Sequence, residues 1–193
     1  MRFIAISGFA KSGKSSLISL ILRNFSKRDV ETCVIKKAEE IDIIKHEAEF
    51  IRSGAKEVFV ISPDISLAVF NRRIRLEEIP ALISCDFLLL EGFKRDPLPR
   101  IVIANNEEDV SKLVDEWVLA ITSLQTILKV GKIPFISPQE IPEFLLDKSP
   151  YFPLWTDCSL CGFRNCIAFL RNSMSKTPTP CPAAAIQGSY RGR

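Results

Sequence analysis

Hydrophobic positions in this chain fall into short runs that alternate with stretches of helical spacing. RFIAIS (2–7) is an apolar run with β-branched residues, bounded by Gly8, and reads as a buried parallel strand. In KSSLISLILRNF (14–25), Leu17, Ile18, Ile21 and Leu22 recur at helical spacing. TCVIK (32–36) reads as a second strand, KHEAEFIRSGA (45–55) as a charged helix closed by Gly54, and EVFVIS (57–62) and LAVFNRR (67–73) as further strands. LEEIPALIS (76–84) reads as a short helix despite Pro80. DFLLLEGF (86–93) is apolar enough to be a central strand, and RIVIAN (100–105) follows as another. The rest reads as a helix over 110–118, strands over 119–123 and 133–137, and a helix over 138–147. Strands alternating with helices predict an α/β fold in three layers, a mostly parallel sheet with helices on both faces.

Composition adds little to that picture and removes some alternatives. The 193 residues are 47% hydrophobic and 25% charged, ordinary for a globular protein, and suffice for one α/β domain with a small appendage. A formal net charge of +3 does not announce nucleic-acid binding, and no apolar run reaches the length of a membrane span. MRFIAISGF runs straight into a glycine loop and lacks the pattern of a cleavable signal, so the expected location is the cytoplasm. In that compartment thiols stay reduced, and clustered cysteines hold metal more often than disulfides.

The first chemistry lies in GFAKSGKS, Gly8 to Ser15, which fits G-x-x-x-x-G-K-[ST] between a strand and a helix. The glycines let backbone N–H groups converge on phosphate oxygens, and the helix N-terminus adds its dipole. The expected nucleotide contacts are Gly8, Ala10, Lys11, Ser12, Gly13, Lys14, Ser15 and Ser16. Lys14 supplies a point charge to the outer phosphates, and Ser15 ligates Mg²⁺. A nucleotide enzyme also needs an acid near that metal. Ligands of open α/β sheets bind beyond the carboxyl ends of strands, which favours Glu91, beside Gly92, over Asp86 at the opposite edge. Lys14 and Glu91 are thus the candidate catalytic pair. Lys36, at another strand end, is a further phosphate candidate. No general base or arginine finger is recognisable, so any hydrolysis should be slow, at most that of a weak P-loop NTPase.

A second cluster lies near the C-terminus. CSLCGFRNC (158–166) and TPCPAAA place Cys158, Cys161, Cys166 and Cys181 in the spacing C-x2-C-x4-C-x14-C, with Pro182 directly after the last. Four thiolates in one segment can close a zinc site or hold a 4Fe–4S cluster. A close run of cysteines with a distant fourth followed by proline is nearer ferredoxin-type ligation than the paired C-x-x-C of zinc ribbons. Gly162 lets the loop turn, and CIAFLRNSM (166–174) reads as a helix covering the site. Cys33 and Cys85 read as small core residues. Domain boundaries follow: a nucleotide domain over 1–148, a linker over 149–157 whose Tyr151, Phe152 and Trp155 pack back on that domain, and a cysteine-ligated module over 158–193.

GFAKSGKSS, the strand-end IKK, HEAEFIRSGA leading into EVFVIS, and LLLEGFKRDPLPRIVI together resemble the MobB family of molybdopterin-guanine dinucleotide biosynthesis adaptor proteins over about residues 1–147. The resemblance implies a P-loop NTPase fold, a homodimer, and GTP bound with Mg²⁺. It implies the phosphate and metal roles already given for Gly8 to Ser16, Glu91 and Gly92, and a nucleotidyltransferase or molybdoenzyme-maturation partner. Asp42 stands as a further Mg²⁺ candidate in the loop after the second strand. No N-K-x-D motif reads guanine here, so GTP over ATP rests on the resemblance alone. The tail resembles the small iron–sulfur module of corrinoid and acetyl-CoA pathway proteins, with Phe169 in its pattern and Leu170 where a small residue is usual. The competing reading is a P-loop ATPase that couples hydrolysis to electron or cluster transfer.

Overall fold

The computed structural model describes residues 1–38 and 45–186. They form two compact units, one of residues 1–37 with 80 onward and one within 38–79. The larger unit is built on five strands: β1 (Arg2–Ser7), β2 (Thr32–Lys36), β5 (Phe87–Glu91), β6 (Arg100–Ile103) and β7 (Val118–Thr122). All pair in parallel, in the order β2-β5-β1-β6-β7.

Alternation along each strand divides the core between the two faces of the sheet. Ile4, Ile6, Phe87, Leu89, Ile101 and Ile103 pack on one face with Leu17, Ile21 and Phe25 of α1 (Lys14–Ser26). Ile141 and Leu145 of α5 (Ile141–Lys148) join them there. On the other face Val102, Ala104 and Ile121 meet Val110, Leu113 and Leu128. The inner strands are mostly apolar because both faces are covered, whereas β2 at the edge is partly exposed.

The smaller unit holds α2 (Lys45–Arg52) and two strands, β3 (Glu57–Ile61) and β4 (Ser66–Phe70), paired antiparallel. A short 3₁₀ turn, Leu76–Glu78, runs into α3 (Ile79–Leu82) where the sequence predicts one helix over 76–84. The two strands therefore form a hairpin rather than joining the parallel sheet. Their connection, 62–65, is too short for the crossover that parallel pairing requires.

Two further expectations are corrected. The helix predicted over 110–118 is α4 (Glu107–Ser111), started by the Asn106 side chain, which accepts a hydrogen bond from Asp109 N at 2.8 Å. Glu107, Glu108 and Asp109 crowd its first turn, where negative charge is favoured. The chain then turns at Asp115, whose carboxylate accepts from Trp117 N, and enters β7. The strand predicted over 133–137 is reduced to one parallel bridge, Ile121 to Phe135.

The segment after α5 docks on β1. The β6 register starts only at Ala5, so the earlier part of β1 lacks a partner on that side. Pro150 O accepts from Phe3 N at 3.0 Å, Met1 O accepts from Phe152 N at 3.1 Å, and Tyr151 bridges Arg2 antiparallel. Phe152, buried to 2%, sets its ring edge-on against Phe3 at 5.0 Å. The arm is followed by α6 (Cys166–Ser175) and α7 (Pro182–Ile186). Phe152→Ala should lower unfolding free energy by about 3–4 kcal/mol in urea denaturation, the cost of an unfilled aromatic site.

Candidate functional site

Parallel pairing places the carboxyl ends of β1, β5 and β2 side by side, so the loops that leave them share one edge of the sheet. The loop after β1 needs both of its end glycines. A Cβ on Gly8 would lie 2.4 Å from the Ile103 carbonyl oxygen at the end of β6. Gly13 has φ +95° and caps α1 in the left-handed region, and a Cβ there would lie 2.5 Å from Leu124 Cδ1. No side chain caps the N-terminus of α1, and its first turn carries no acid. Its free N–H groups and positive end therefore face the loop. Ser12 Oγ is buried without a hydrogen-bond partner among the described residues, a polar atom that a bound phosphate could satisfy.

Around this cradle stand the predicted side chains. Ser15 Oγ donates to Glu91 Oε1 at 3.3 Å, which brings the expected metal ligand and the expected acid together. Lys36 is the register partner of Glu91 across the β2–β5 pair. Gly92, with φ +101°, turns the chain away from β5, and its carbonyl accepts from Ser7 Oγ at 2.5 Å. Lys14 Nζ donates to Phe9 O at 2.6 Å. Burial pushes the Lys14 ammonium below its ordinary pKa, and Lys94 presses it further in the same direction. Ala10 and Lys11 form the exposed tip, and Ser16 is exposed in the first turn of α1. Asp42 lies outside the described residues. Sequence reasoning missed Ser7, Lys94 and Arg100, whose parts depend on contacts between segments far apart in the chain.

The four tail cysteines line one small hollow that is partly open to solvent. Cys166 and Cys181 are buried in its floor, Cys161 is half-buried and Cys158 is exposed. Phe163 and Phe169 stack edge-on at 6.2 Å in its wall. Ser159 at φ +59° turns the loop between the first and second cysteines, and Gly162 at φ +81° turns it between the second and third. Asn165 caps α6 through Ala168 N, and Asp157 Oδ1 accepts from Cys166 N at 2.7 Å. Among the described residues no three metal-ligating side chains converge on one ion. The donor set, four thiols around one partly apolar hollow, suits a thiolate-held group by its chemistry.

Residues 3–124 match the family described as "Molybdopterin guanine dinucleotide synthesis protein B". The chain belongs to the MobB family. A candidate molybdopterin-guanine dinucleotide biosynthesis adapter protein of Methanocaldococcus jannaschii is 29% identical, across 89% of this chain and 71% of its own. An alignment of that extent runs past the family match and into the cysteine segment. The corresponding adapter protein of Haemophilus influenzae is 24% identical over 69% of this chain and 84% of its own. The crystal structure of Bacillus subtilis MobB superposes with a TM-score of 0.65 at 22% identity, covering 76% of this chain and 96% of that one, a likeness of fold. The mostly parallel α/β sheet is therefore that of MobB proteins.

Because its Cβ would strike backbone, Gly8→Ala should destabilise the fold by about 1–3 kcal/mol, read by chemical denaturation.

Proposed function

We propose that this MobB-family chain is a GTP-binding accessory protein in the synthesis of molybdopterin guanine dinucleotide, with Mg²⁺ at the nucleotide and a 4Fe–4S cluster on its cysteine tail. The observation that carries the nucleotide part is the meeting of Ser15 with Glu91 at the mouth of the glycine loop. Bound Mg²⁺ would neutralise phosphate charge there. Gly8, Ser12 and Gly13 would cradle the phosphates, Lys14 would turn from the Phe9 carbonyl to them, and Ser15 with Glu91 would hold the metal or its water. Lys36, opposite Glu91, adds positive charge to the same edge. The names of the relatives support a nucleotidyltransferase as partner. The β3–β4 hairpin exposes Phe59, Ile61 and Ile65, an apolar surface that supports a homodimer or a protein partner. The cavity shared by four cysteines supports the cluster and also keeps zinc as an alternative occupant.

The runner-up, a P-loop ATPase that passes electrons or clusters, draws on the same two sites. Its separating observation would be ATP preferred over GTP and co-purification with a redox protein rather than a molybdopterin nucleotidyltransferase.

Mg·GTP at a hundredfold excess over its Kd should stabilise the folded chain by about 2.7 kcal/mol and raise its Tm, and Lys14→Ala should remove most of that gain. An unchanged Tm with both GTP and ATP would rule out the nucleotide reading. Anaerobically purified chain should carry about four irons and four labile sulfides, measured chemically. Stoichiometric zinc without sulfide would instead assign the cavity to a single ion.

A further inference from the structure

A lysine outside the glycine loop stands over it. Lys94 belongs to the turn that leaves β5, and its Nζ lies 4.8 Å from the centre of the Phe9 ring. Phe9 is the second residue of the glycine loop, and its carbonyl already accepts from Lys14. Two ammonium groups therefore converge on one loop residue, Lys14 at its backbone and Lys94 over its ring face. Among the described residues, the charges that act on Lys14 are Lys94 and Lys36 against the carboxylate of Glu91. That excess of cations among the described residues is one that a polyphosphate would neutralise.

An exposed lysine is ordinarily free to wander, but here the backbone that carries it is fixed from beneath. Arg100, at the start of β6, is 1% exposed, the most voluminous of the fully buried side chains. Its guanidinium donates to the Lys94 carbonyl, to the Asp96 carbonyl at 3.0 Å and to the Asp115 carboxylate at 2.9 Å. Burying an arginine is costly unless its donors are satisfied; Nη1 and Nη2 are, two of their partners being backbone carbonyls of the same turn, while Nε is buried without a partner among the described residues. From the other side Lys37 pairs with Asp96 at 2.8 Å and lies over the Phe93 ring. Phe93 itself holds φ +52°, a strained geometry for an aromatic residue, kept by this surrounding support. A lysine at position 100 would lack the planar fork that reaches both carbonyls at once.

We propose that Lys94 is a second phosphate contact of the nucleotide site and that buried Arg100 is the positioning residue that holds it over the loop. This rests on the nucleotide reading above and adds to it a residue outside the glycine-loop motif. Arg100 touches no phosphate and acts through the turn alone.

The test is calorimetric titration of the full chain with Mg·GTP at low and at high salt. Lys94→Ala should raise Kd about tenfold at low salt with little change in Tm, and Lys94→Arg should restore most of the affinity. The penalty should shrink near 1 M salt, where exposed charges are screened within about 3 Å, which a purely structural defect would not do. Arg100→Lys should weaken binding in the same salt-dependent way, and the double variant should bind no worse than Lys94→Ala, because the two act on one contact. Should Arg100→Lys fail to fold, Asp115→Asn, which loosens the same guanidinium, should show a smaller loss of the same kind. Unchanged affinity in Lys94→Ala, with wild-type binding intact, overturns the Lys94 assignment and leaves the nucleotide reading standing. Additive losses in the double variant overturn the positioning role of Arg100. A wild-type chain that binds neither GTP nor ATP overturns the inference and the reading it rests on together.

Discussion

The central strand has a hydrogen-bonded parallel neighbour on each side, and the glycine-loop end of the larger unit depends on that constraint. With β5 and β6 both aligned to β1, the three strand ends arrive level, and Gly8 must pass so close to the β6 carbonyl that no side chain fits. The same alignment brings Ser15 within reach of Glu91 and sets Lys36 beside it. Neither contact needs a flexible search by long side chains, because strand register has fixed the distances in advance.

Much of this was legible because it is local. A glycine loop between an apolar run and an amphipathic helix states its own geometry, and the carboxyl-end rule selected Glu91 over Asp86 from chain direction alone. The failures have a common physical cause. The periodicity of 110–118 is real, since Val110, Leu113 and Val114 do face the core, but a capped single turn and the Asp115 turn place them there without a continuous helix. The strand pattern of 57–62 and 67–73 was read correctly as strand, yet pattern does not reveal which strand a segment pairs with. Loop length decided that, and it favoured a hairpin. Nothing local marks Arg100 as buried; its burial depends on carbonyls and a carboxylate that only the folded turn supplies.

Within the larger unit, the cysteine-bearing tail is joined to the sheet by more than the chain. Arg171 of α6 pairs with Glu116 at 2.5 Å and lies over the Trp117 ring, while the neighbouring Asp115 serves Arg100. One short turn, 115–117, thus meets the cysteine-bearing segment on one side and the buried guanidinium of Arg100 on the other. Shared contact of this kind is not communication, which requires an element with two states that both sites bias. It does supply the contiguous packing through which such an element would have to act.

The docking of the arm on β1 also orders events in time. β1 leaves the ribosome well before the arm does, so the amide of Phe3 finds its partner only when Pro150 has emerged. Until then the innermost strand keeps part of one edge open, with Phe3 uncovered by Phe152, the sort of surface on which nascent chains associate wrongly. Closure of the central strand thus waits on a segment made much later in the same chain.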